Sequence, residues 1–214
     1  MLVIHGRATS SNVQAVMWAV GEIGIEHRRL DVGGAFGGNQ SSEFLEMNPM
    51  GRVPVIQDGD VTMFESQAIL RYLAARHGSD ALWPVDPVAR APADQWMEWA
   101  KVNVYPVLTY KVFWQMIRTT AAERDHGLVA AGVSELKELM TIADAQFARH
   151  GWLAGSEMTL ANISFGTHLY RYFNVPFDRA DLPNLKAYYD RLCARPAYAE
   201  HAMVSFESLR VEGA

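Results

Sequence analysis

The spacing of hydrophobic residues changes once along this chain of 214 residues, close to residue 79. Before that point, short apolar runs typical of strands alternate with stretches of helical spacing. After it, apolar and aromatic residues keep the helical spacing and no segment predicts a strand. We therefore predict an α/β domain at residues 1–78 and an all-α domain at residues 91–214. A linker at residues 79–90, which contains Pro84 and Pro87, joins them and leads into a helix start at Asp86-Pro87.

The first part predicts the element order β-α-β-α-β-β-α. Gly24 is placed to end the first helix, and Asp58-Gly59 is typical of a tight hairpin turn. The opening strand–helix–strand unit favours parallel pairing of its two strands. The predicted strands lie at residues 2–5, 26–32, 53–56 and 61–64, and the predicted helices at 13–23, 41–47 and 65–77.

The composition argues against several classes of protein. The net charge is −5 and no basic stripe occurs, so we expect no nucleic acid partner. No apolar run approaches the roughly 18–20 residues of a membrane span, and the N-terminus has no secretory signal pattern. Cys193 is the only cysteine, which excludes an intramolecular disulfide and favours a cytoplasmic location. The histidines lack metal-ligand spacing, so we expect no metal.

The loop ATSSN at residues 8–12 is the first candidate site. It joins the first predicted strand to the first helix, which is where open α/β sheets bind ligands. Ser10, Ser11 and Asn12 place hydroxyl and amide donors at a helix N-terminus, and we expect one of them to cap that helix. Such donors also stabilise a thiolate, so the loop suits a thiol substrate.

Two more features flank the predicted hairpin. Pro54 enters a strand to whose ladder it cannot donate, so either this is an edge strand or a cis bond turns the backbone of Val53 outward. Glu65 and Ser66 begin the following helix, and they either cap it or also form a site for a ligand carboxylate. The local sequence leaves both pairs of alternatives open.

A cluster of aromatic residues lies in the second half. Its members could line a hydrophobic pocket, but their spacing would serve core packing equally well: Tyr105, Tyr110, Phe113 and Trp114. Arg118 follows this cluster and could meet an anionic ligand, although a solvated arginine is the commoner case. Cys193, on an amphipathic helix, is expected to be a small core residue.

Several of these features together resemble the cytosolic glutathione S-transferase family. The combination consists of NPMGRVPVIQDGD followed by MFESQAILRYLA, a serine-bearing loop before the first helix, an all-helical second half, and an ending that reads LPNL and YYDRLCARPAY. The chain looks like the bacterial theta- or nu-like members with a serine-type active site. The resemblance implies a thioredoxin-like N-terminal domain, an all-α C-terminal domain and a homodimer.

The resemblance also implies roles for the candidate residues. Ser10 would donate to the thiolate of glutathione and Asn12 would assist, with Ser11 close enough to exchange with Ser10. The remaining glutathione-binding roles would fall to Asn39 and Arg52 at the glycyl carboxylate, Val53 before a cis-Pro54 at the cysteinyl unit, and Glu65 and Ser66 at the γ-glutamyl group. The substrate pocket would be formed by Tyr105, Tyr110, Phe113 and Trp114.

The implied function is detoxification by conjugation, in which glutathione, as co-substrate, attacks a small hydrophobic electrophile as its thiolate. Two alternatives are a glutathione-dependent peroxidase or disulfide reductase, and a glutathione-binding protein without catalytic activity. One position departs from the family pattern, because Asn162 stands where the family usually has the aspartate of a capping box with Thr159. We expect this to reduce stability by about 0.5–1 kcal/mol.

Overall fold

The computed structural model describes all 214 residues, which form four strands and ten α-helices. The strands are β1 (Leu2–His5), β2 (His27–Leu30), β3 (Val55–Asp58) and β4 (Val61–Phe64). The helices of the first part are α1 (Ser11–Ile23), α2 (Ser42–Met47) and α3 (Ser66–His77). Those of the second part are α4 (Pro87–Trp99), α5 (Trp114–Ile117), α6 (His126–His150), α7 (Leu160–Gly166), α8 (Leu169–Asn174), α9 (Pro183–Cys193) and α10 (Pro196–His201).

The four strands form one sheet in the order β2-β1-β3-β4. The predicted parallel pairing of β1 with β2 is confirmed, and β3 pairs antiparallel with both β1 and β4. Gly24 ends α1 in the left-handed conformation, as predicted. Strand β3 begins at Val55 rather than at residue 53, because Pro54 has no N–H to donate to the ladder.

The predicted linker segment at residues 79–90 contains the start of helix α4, at the Asp86-Pro87 pair where the sequence predicts a helix to begin. Helix α4 begins at Pro87, so the last four residues of that segment are helical. The side chain of Asp86 accepts a hydrogen bond from the Ala89 N–H at 2.8 Å. A proline in the first position of a helix already has the helical φ angle. Together with the aspartate cap it therefore starts the helix at this point.

The second part contains no strand, as predicted. Helix α4 continues through two π-helical stretches, Ala100–Val104 and Val107–Phe113, into α5. None of the helices combines the length and the apolar composition needed to cross a membrane.

Helix α1 connects the two hydrophobic cores. Val16 and Val20 pack with the sheet residues, whereas Trp18 belongs to the larger core of the helical domain. Gly166 in α7 permits this contact, because a Cβ there would lie 2.9 Å from the Trp18 ring. The indole N–H of Trp18 donates to Glu22, which also accepts from Arg195 beyond α9. The domains therefore meet along α1, and a cleft opens at its N-terminal end.

Asn162, where the sequence departs from the family pattern, makes two side-chain hydrogen bonds. Its Oδ1 accepts from the Thr159 N–H at 2.9 Å, so the capping box forms with asparagine in place of aspartate. Its Nδ2 donates to the hydroxyl of Tyr188 at 3.1 Å, a bond that an ionised carboxylate cannot donate. Asn162 is fully buried, so both groups depend on it for their hydrogen bonds.

Candidate active site

Two adjoining cavities lie in the cleft between the sheet domain and the π-helical segment. The larger, about 500 Å³, is lined by residues that include Arg7, Ser10, Asn12, Asn39, Arg52, Val53, Tyr105, Tyr110 and Trp114. The smaller, about 180 Å³, is lined by residues that include Asn12, Arg52, Val53, Pro54, Glu65, Ser66, Lys101, Tyr105 and Tyr110. A separate cavity of about 520 Å³ beside Glu22 and Trp152 contains none of the predicted site residues.

The loop before α1 presents Ser10 to the cleft. Ser10 occupies the N-cap position of α1, yet its hydroxyl makes no capping hydrogen bond, so the expectation that a side chain caps this helix is wrong. The loop is held instead by Gln14, whose amide donates to the Ala8 carbonyl at 2.9 Å. Because the loop does not depend on the serine, the Ser10 hydroxyl is available to a ligand. Ser11 is 5 % exposed and lines only a small cavity of about 70 Å³ behind Ser10.

The side chain of Asn12 is oriented by two donors. Its Oδ1 accepts from the ammonium of Lys101 at 2.9 Å and from the hydroxyl of Ser66 at 3.4 Å. With the carbonyl oxygen engaged in this way, the NH₂ group is turned into the cleft beside the hydroxyl of Tyr105. Asn12 thus faces the cleft as a hydrogen-bond donor.

Glu65 and Ser66 stand at the N-terminus of α3 on the opposite wall. Glu65 is the N-cap residue, but its side chain makes no capping bond, and the Ser66 hydroxyl donates to Asn12 instead of capping. Interpreting this pair as a helix cap is therefore wrong. Glu65 has φ +70° and is the only non-glycine residue in the left-handed region. Backbone in that region costs of order 1–3 kcal/mol and clusters at functional sites.

The peptide bond between Val53 and Pro54 is cis. The sequence left two alternatives for Pro54, an edge strand or a cis bond that turns the backbone of Val53 outward. The structure contains the cis bond. Neither the N–H nor the C=O of Val53 has a hydrogen-bond partner within the protein. Val53 lines both cavities of the cleft, where an extended peptide can pair with its free backbone groups as an added strand does.

Asn39 and Arg52 lie at the far end of the larger cavity. The Asn39 amide donates to the Gly51 carbonyl at 2.8 Å, and Gly51 adopts φ +60° in this turn. Asn48 donates to the backbone carbonyl of Arg52 at 2.7 Å, and the exposed Arg52 guanidinium forms no ion pair. The Arg52 charge is free to meet an anion at this end of the cleft.

The four aromatic residues divide into two groups. Tyr105, Tyr110 and Trp114 line the larger cavity, and the Tyr110 and Trp114 rings meet edge to face at 4.8 Å. Phe113 is 1 % exposed and packs edge-on against Phe206 at 5.3 Å. Its ring belongs to the core and borders only the small cavity behind Ser10, because the winding of the segment turns it away from the open cleft.

Comparison with known proteins shows the family to which this chain belongs. Residues 5–75 match the family "Glutathione S-transferase, N-terminal domain", and residues 100–196 match "Glutathione S-transferase, C-terminal domain". The chain is 34% identical over 206 residues to glutathione S-transferase GstB of Escherichia coli strain K12, covering 95% of this chain and 99% of that protein. The chain belongs to the glutathione S-transferase family.

Solved structures confirm the fold class of this glutathione S-transferase. A theta-class glutathione S-transferase from Xanthomonas axonopodis pv. citri, with glutathione bound, superposes with a TM-score of 0.91 at 41% identity. The superposition covers 95% of this chain and 98% of that one. Among plant relatives, glutathione S-transferase 3 of Zea mays is 30% identical over 204 residues, covering 92% of this chain and 91% of its own. The resemblance to the family stated from the sequence is therefore confirmed.

Four charged or titratable residues of this transferase line or support the cleft but were not predicted from the sequence: Arg7, Lys101, His168 and Arg171. Burial lowers the pKa of Lys101, and the nearby charge of Glu65 opposes that effect. Its ammonium also lies 4.1 Å from the centre of the Tyr105 ring. Lys101 precedes Tyr105 by four residues, and this helical spacing is the one sequence signal that could have linked it to the aromatic cluster.

The inner wall of the cleft contains neutral and cationic groups. Burial, with Lys101 and Arg171 nearby, lowers the pKa of His168 to about 3, so this imidazole is neutral near pH 7. Burial and the Tyr110 hydroxyl raise the pKa of Tyr105, which therefore stays protonated and can donate a hydrogen bond. Cys193, the single cysteine, does not line the cleft.

Proposed function

We propose that this glutathione S-transferase binds glutathione in the cleft and ionises its thiol for attack on a hydrophobic electrophile. The observation that carries the proposal is the pair of donors at the N-terminus of α1, the free Ser10 hydroxyl and the Asn12 NH₂ group. A sulfur placed between them receives two hydrogen bonds at the positive end of a helix. Both effects favour the charged form and lower the pKa of a thiol. The thiolate is the nucleophile.

Glutathione lies extended across the cleft in this proposal. Its cysteinyl unit pairs with the free backbone groups of Val53, held by Pro54, and its γ-glutamyl group meets Glu65 and Ser66. The remaining carboxylate, on the glycyl unit, lies near Asn39 and Arg52, and Ser11 supports the loop beside Ser10. The glutathione-bound relative from Xanthomonas axonopodis supports this use of the cleft. Glutathione is a co-substrate here, and the reaction uses no metal.

The electrophile occupies the larger cavity against Tyr105, Tyr110 and Trp114. Conjugation there serves detoxification in the cytoplasm, and we propose that the protein works as a homodimer. Cysteine-based exchange is disfavoured because Cys193 is outside the cleft. Peroxide or disulfide reduction by the glutathione thiolate itself remains the alternative chemistry at the same site.

The test is a pH titration of the thiolate absorbance of enzyme-bound glutathione. We expect the bound thiol of the wild type to ionise well below the pH at which free glutathione does. Ser10→Ala should remove most of that shift and reduce turnover about 10- to 100-fold, since a hydrogen bond to a charged group contributes about 1.5–3 kcal/mol. Ser11→Ala is the matched control and should change neither quantity by more than a few-fold.

The outcomes separate the candidate functions. Equal shifts in the wild type and in Ser10→Ala would remove Ser10 from thiol activation. If the thiol of bound glutathione ionises at the same pH as in water, the protein binds glutathione without activating it, and the non-catalytic function is favoured. If the thiol is activated, three reactions are then assayed side by side: conjugation of a chloronitrobenzene, reduction of a hydroperoxide and reduction of a mixed disulfide. The fastest of the three identifies the reaction class.

A further inference from the structure

Three arginines converge on the small cavity behind Ser10. Arg7 comes from the end of β1, Arg118 follows α5 and Arg171 lies in α8, and all three line the same space of about 70 Å³. None of the three forms an ion pair with a carboxylate. A concentration of unpaired positive charge in a partly buried site favours an anionic ligand.

Arg171 is buried and Arg7 partly buried, and neither charge has a carboxylate partner. Arg171 is 5 % exposed, donates to the Thr9 carbonyl at 2.7 Å and lies 4.3 Å from the centre of the Phe113 ring. Burial lowers its pKa to about 10, and the charges of Arg7 and Arg118 add to this effect. The Nε of Arg7 is buried and has no hydrogen-bond partner. A buried donor without a partner costs free energy that an anion would recover.

The loop after β2 makes room for Arg7. A Cβ on Gly34 would lie 3.0 Å from both Cδ and Nε of Arg7, and Gly34 has φ +61°, where a side chain is strained. The glycine therefore lets the Arg7 side chain lie close against the loop backbone. At the other side of the cavity, the Arg118 guanidinium lies 5.0 Å from the centre of the exposed Trp114 ring. The cluster thus extends from the buried wall to the mouth of the cleft.

The size of the cavity limits what it can hold. About 70 Å³ accommodates a carboxylate or sulfonate group but not a whole substrate, and the cavity shares Arg7, Ser10, Asn12, Tyr105 and Trp114 with the larger one of about 500 Å³. A molecule with an acidic end in the small cavity therefore places its remaining part in the open cleft, beside the proposed thiolate. Arg52 stands apart from this cluster, because it does not line the small cavity.

We infer that the electrophile of this transferase carries an anionic group, which Arg7, Arg118 and Arg171 bind behind Ser10. The inference rests on the proposed function and adds the substrate class. In the reaction, the glutathione sulfur forms a bond to an electrophilic carbon, and the leaving group departs from that carbon with the bonding electron pair. The acidic group stays bound to the arginines and orients the carbon toward the sulfur. The three arginines thus determine specificity.

The test compares two electrophiles that differ in charge: para-(bromomethyl)benzoate and para-(bromomethyl)benzamide. In each, the thiolate displaces bromide from the benzylic carbon. We expect the wild type to prefer the benzoate in kcat/KM, and Arg118→Gln and Arg7→Gln each to reduce that preference about tenfold, as expected for a hydrogen bond to a charged group. Arg118→Lys should retain part of the preference. Arg28→Gln, an exposed arginine outside both cavities, is the matched control and should leave it unchanged.

A second measurement makes the result independent of turnover. Calorimetric titration of unreactive para-methylbenzoate into the protein with glutathione present should show binding to the wild type and about tenfold weaker binding to Arg118→Gln. If neither electrophile reacts but para-methylbenzoate binds through the arginines, the proposed function fails and the anion site stands. Equal use of benzoate and benzamide by the wild type would overturn the inference while leaving the transferase activity intact. A second result would also overturn the inference: the arginine variants raise the KM for glutathione but keep the preference for the benzoate over the benzamide. The arginines would then bind a carboxylate of glutathione.

Discussion

The ammonium of Lys101 donates a hydrogen bond to the Oδ1 of Asn12 at 2.9 Å, across the boundary between the two domains. Lys101 lies in the π-helical stretch after α4, and Asn12 is the second residue of α1. The bond decides which end of the asparagine side chain faces the cleft. A residue of the helical domain thus orients a donor of the sheet domain.

Replacing Lys101 should therefore impair thiol activation. In Lys101→Met the Oδ1 of Asn12 keeps only the longer hydrogen bond from Ser66, at 3.4 Å, so the amide is less firmly oriented and its carbonyl oxygen can turn toward the glutathione thiolate and repel it. We expect the pKa of bound glutathione to rise and kcat to fall about fivefold, the equivalent of one hydrogen bond of about 1 kcal/mol. Lys101→Arg retains the donor and should lose less. An unchanged thiol pKa in Lys101→Met would show that Asn12 needs no such support.

The left-handed backbone of Glu65 predicts a conflict between stability and binding. Glu65→Gly relieves the strain at φ +70°. We expect it to raise the free energy of unfolding by up to about 1 kcal/mol, after allowance for the greater flexibility of glycine in the unfolded chain. The same variant should bind glutathione more weakly, because the carboxylate is gone. Denaturant unfolding and glutathione titration measure the two effects.

Glu65→Gln is the matched control for that substitution. It keeps a side chain at the strained position but removes the charge, so it should weaken glutathione binding without the gain in stability. A Glu65→Gly variant that is no more stable than Glu65→Gln would contradict the assignment of strain to this residue.

Asn162 should be among the most sensitive positions of the helical domain. Asn162→Ala leaves both the Thr159 N–H and the Tyr188 hydroxyl without their partner in a fully buried site. Each orphaned group costs about 1–3 kcal/mol. Tyr188→Phe removes only one of the two bonds and should cost less. Equal losses of unfolding free energy in the two variants would show that the capping bond to Thr159 contributes little.

The ion pair between Glu22 and Arg195 should make stability depend on pH. Burial raises the pKa of Glu22, but the hydrogen bonds from Arg195 and Trp18 outweigh it and lower the pKa overall. A carboxylate whose pKa is lower in the folded state contributes its stability fully above its unfolded pKa, about 4.3. The contribution is lost as the pH falls through the folded value.

Glu22→Gln removes this contribution while keeping the shape of the side chain. The wild type should be more stable than the variant near pH 7, by about 1–3 kcal/mol for hydrogen bonds to a charged group. The difference should shrink as the pH is lowered below about 4. Thermal unfolding of both proteins over this range measures it, and a difference independent of pH would contradict the role of the charge.

The sequence by itself determined the element order and the turns. These follow from periodicity and from residues such as Gly24 and the Asp58-Gly59 pair, whose conformational preferences are local. The same local rules failed at Ser10 and Ser66. Both look like helix caps, yet neither side chain caps a helix in the structure. The choice between capping the local helix and facing a ligand or another domain depends on what lies across the cleft.

Only the tertiary structure brought Lys101 to Asn12 and gathered Arg7, Arg118 and Arg171 behind Ser10. These residues come from both domains, and periodicity does not encode which helix face meets which loop. The packing of α1 on α7 fixes their relative positions, and Gly166 allows that packing because it leaves room for the Trp18 ring. Local sequence therefore specified the elements and the family. Long-range packing decided the charge of the site and the orientation of its side chains, because electrostatic contacts depend on distance in space rather than on separation along the chain.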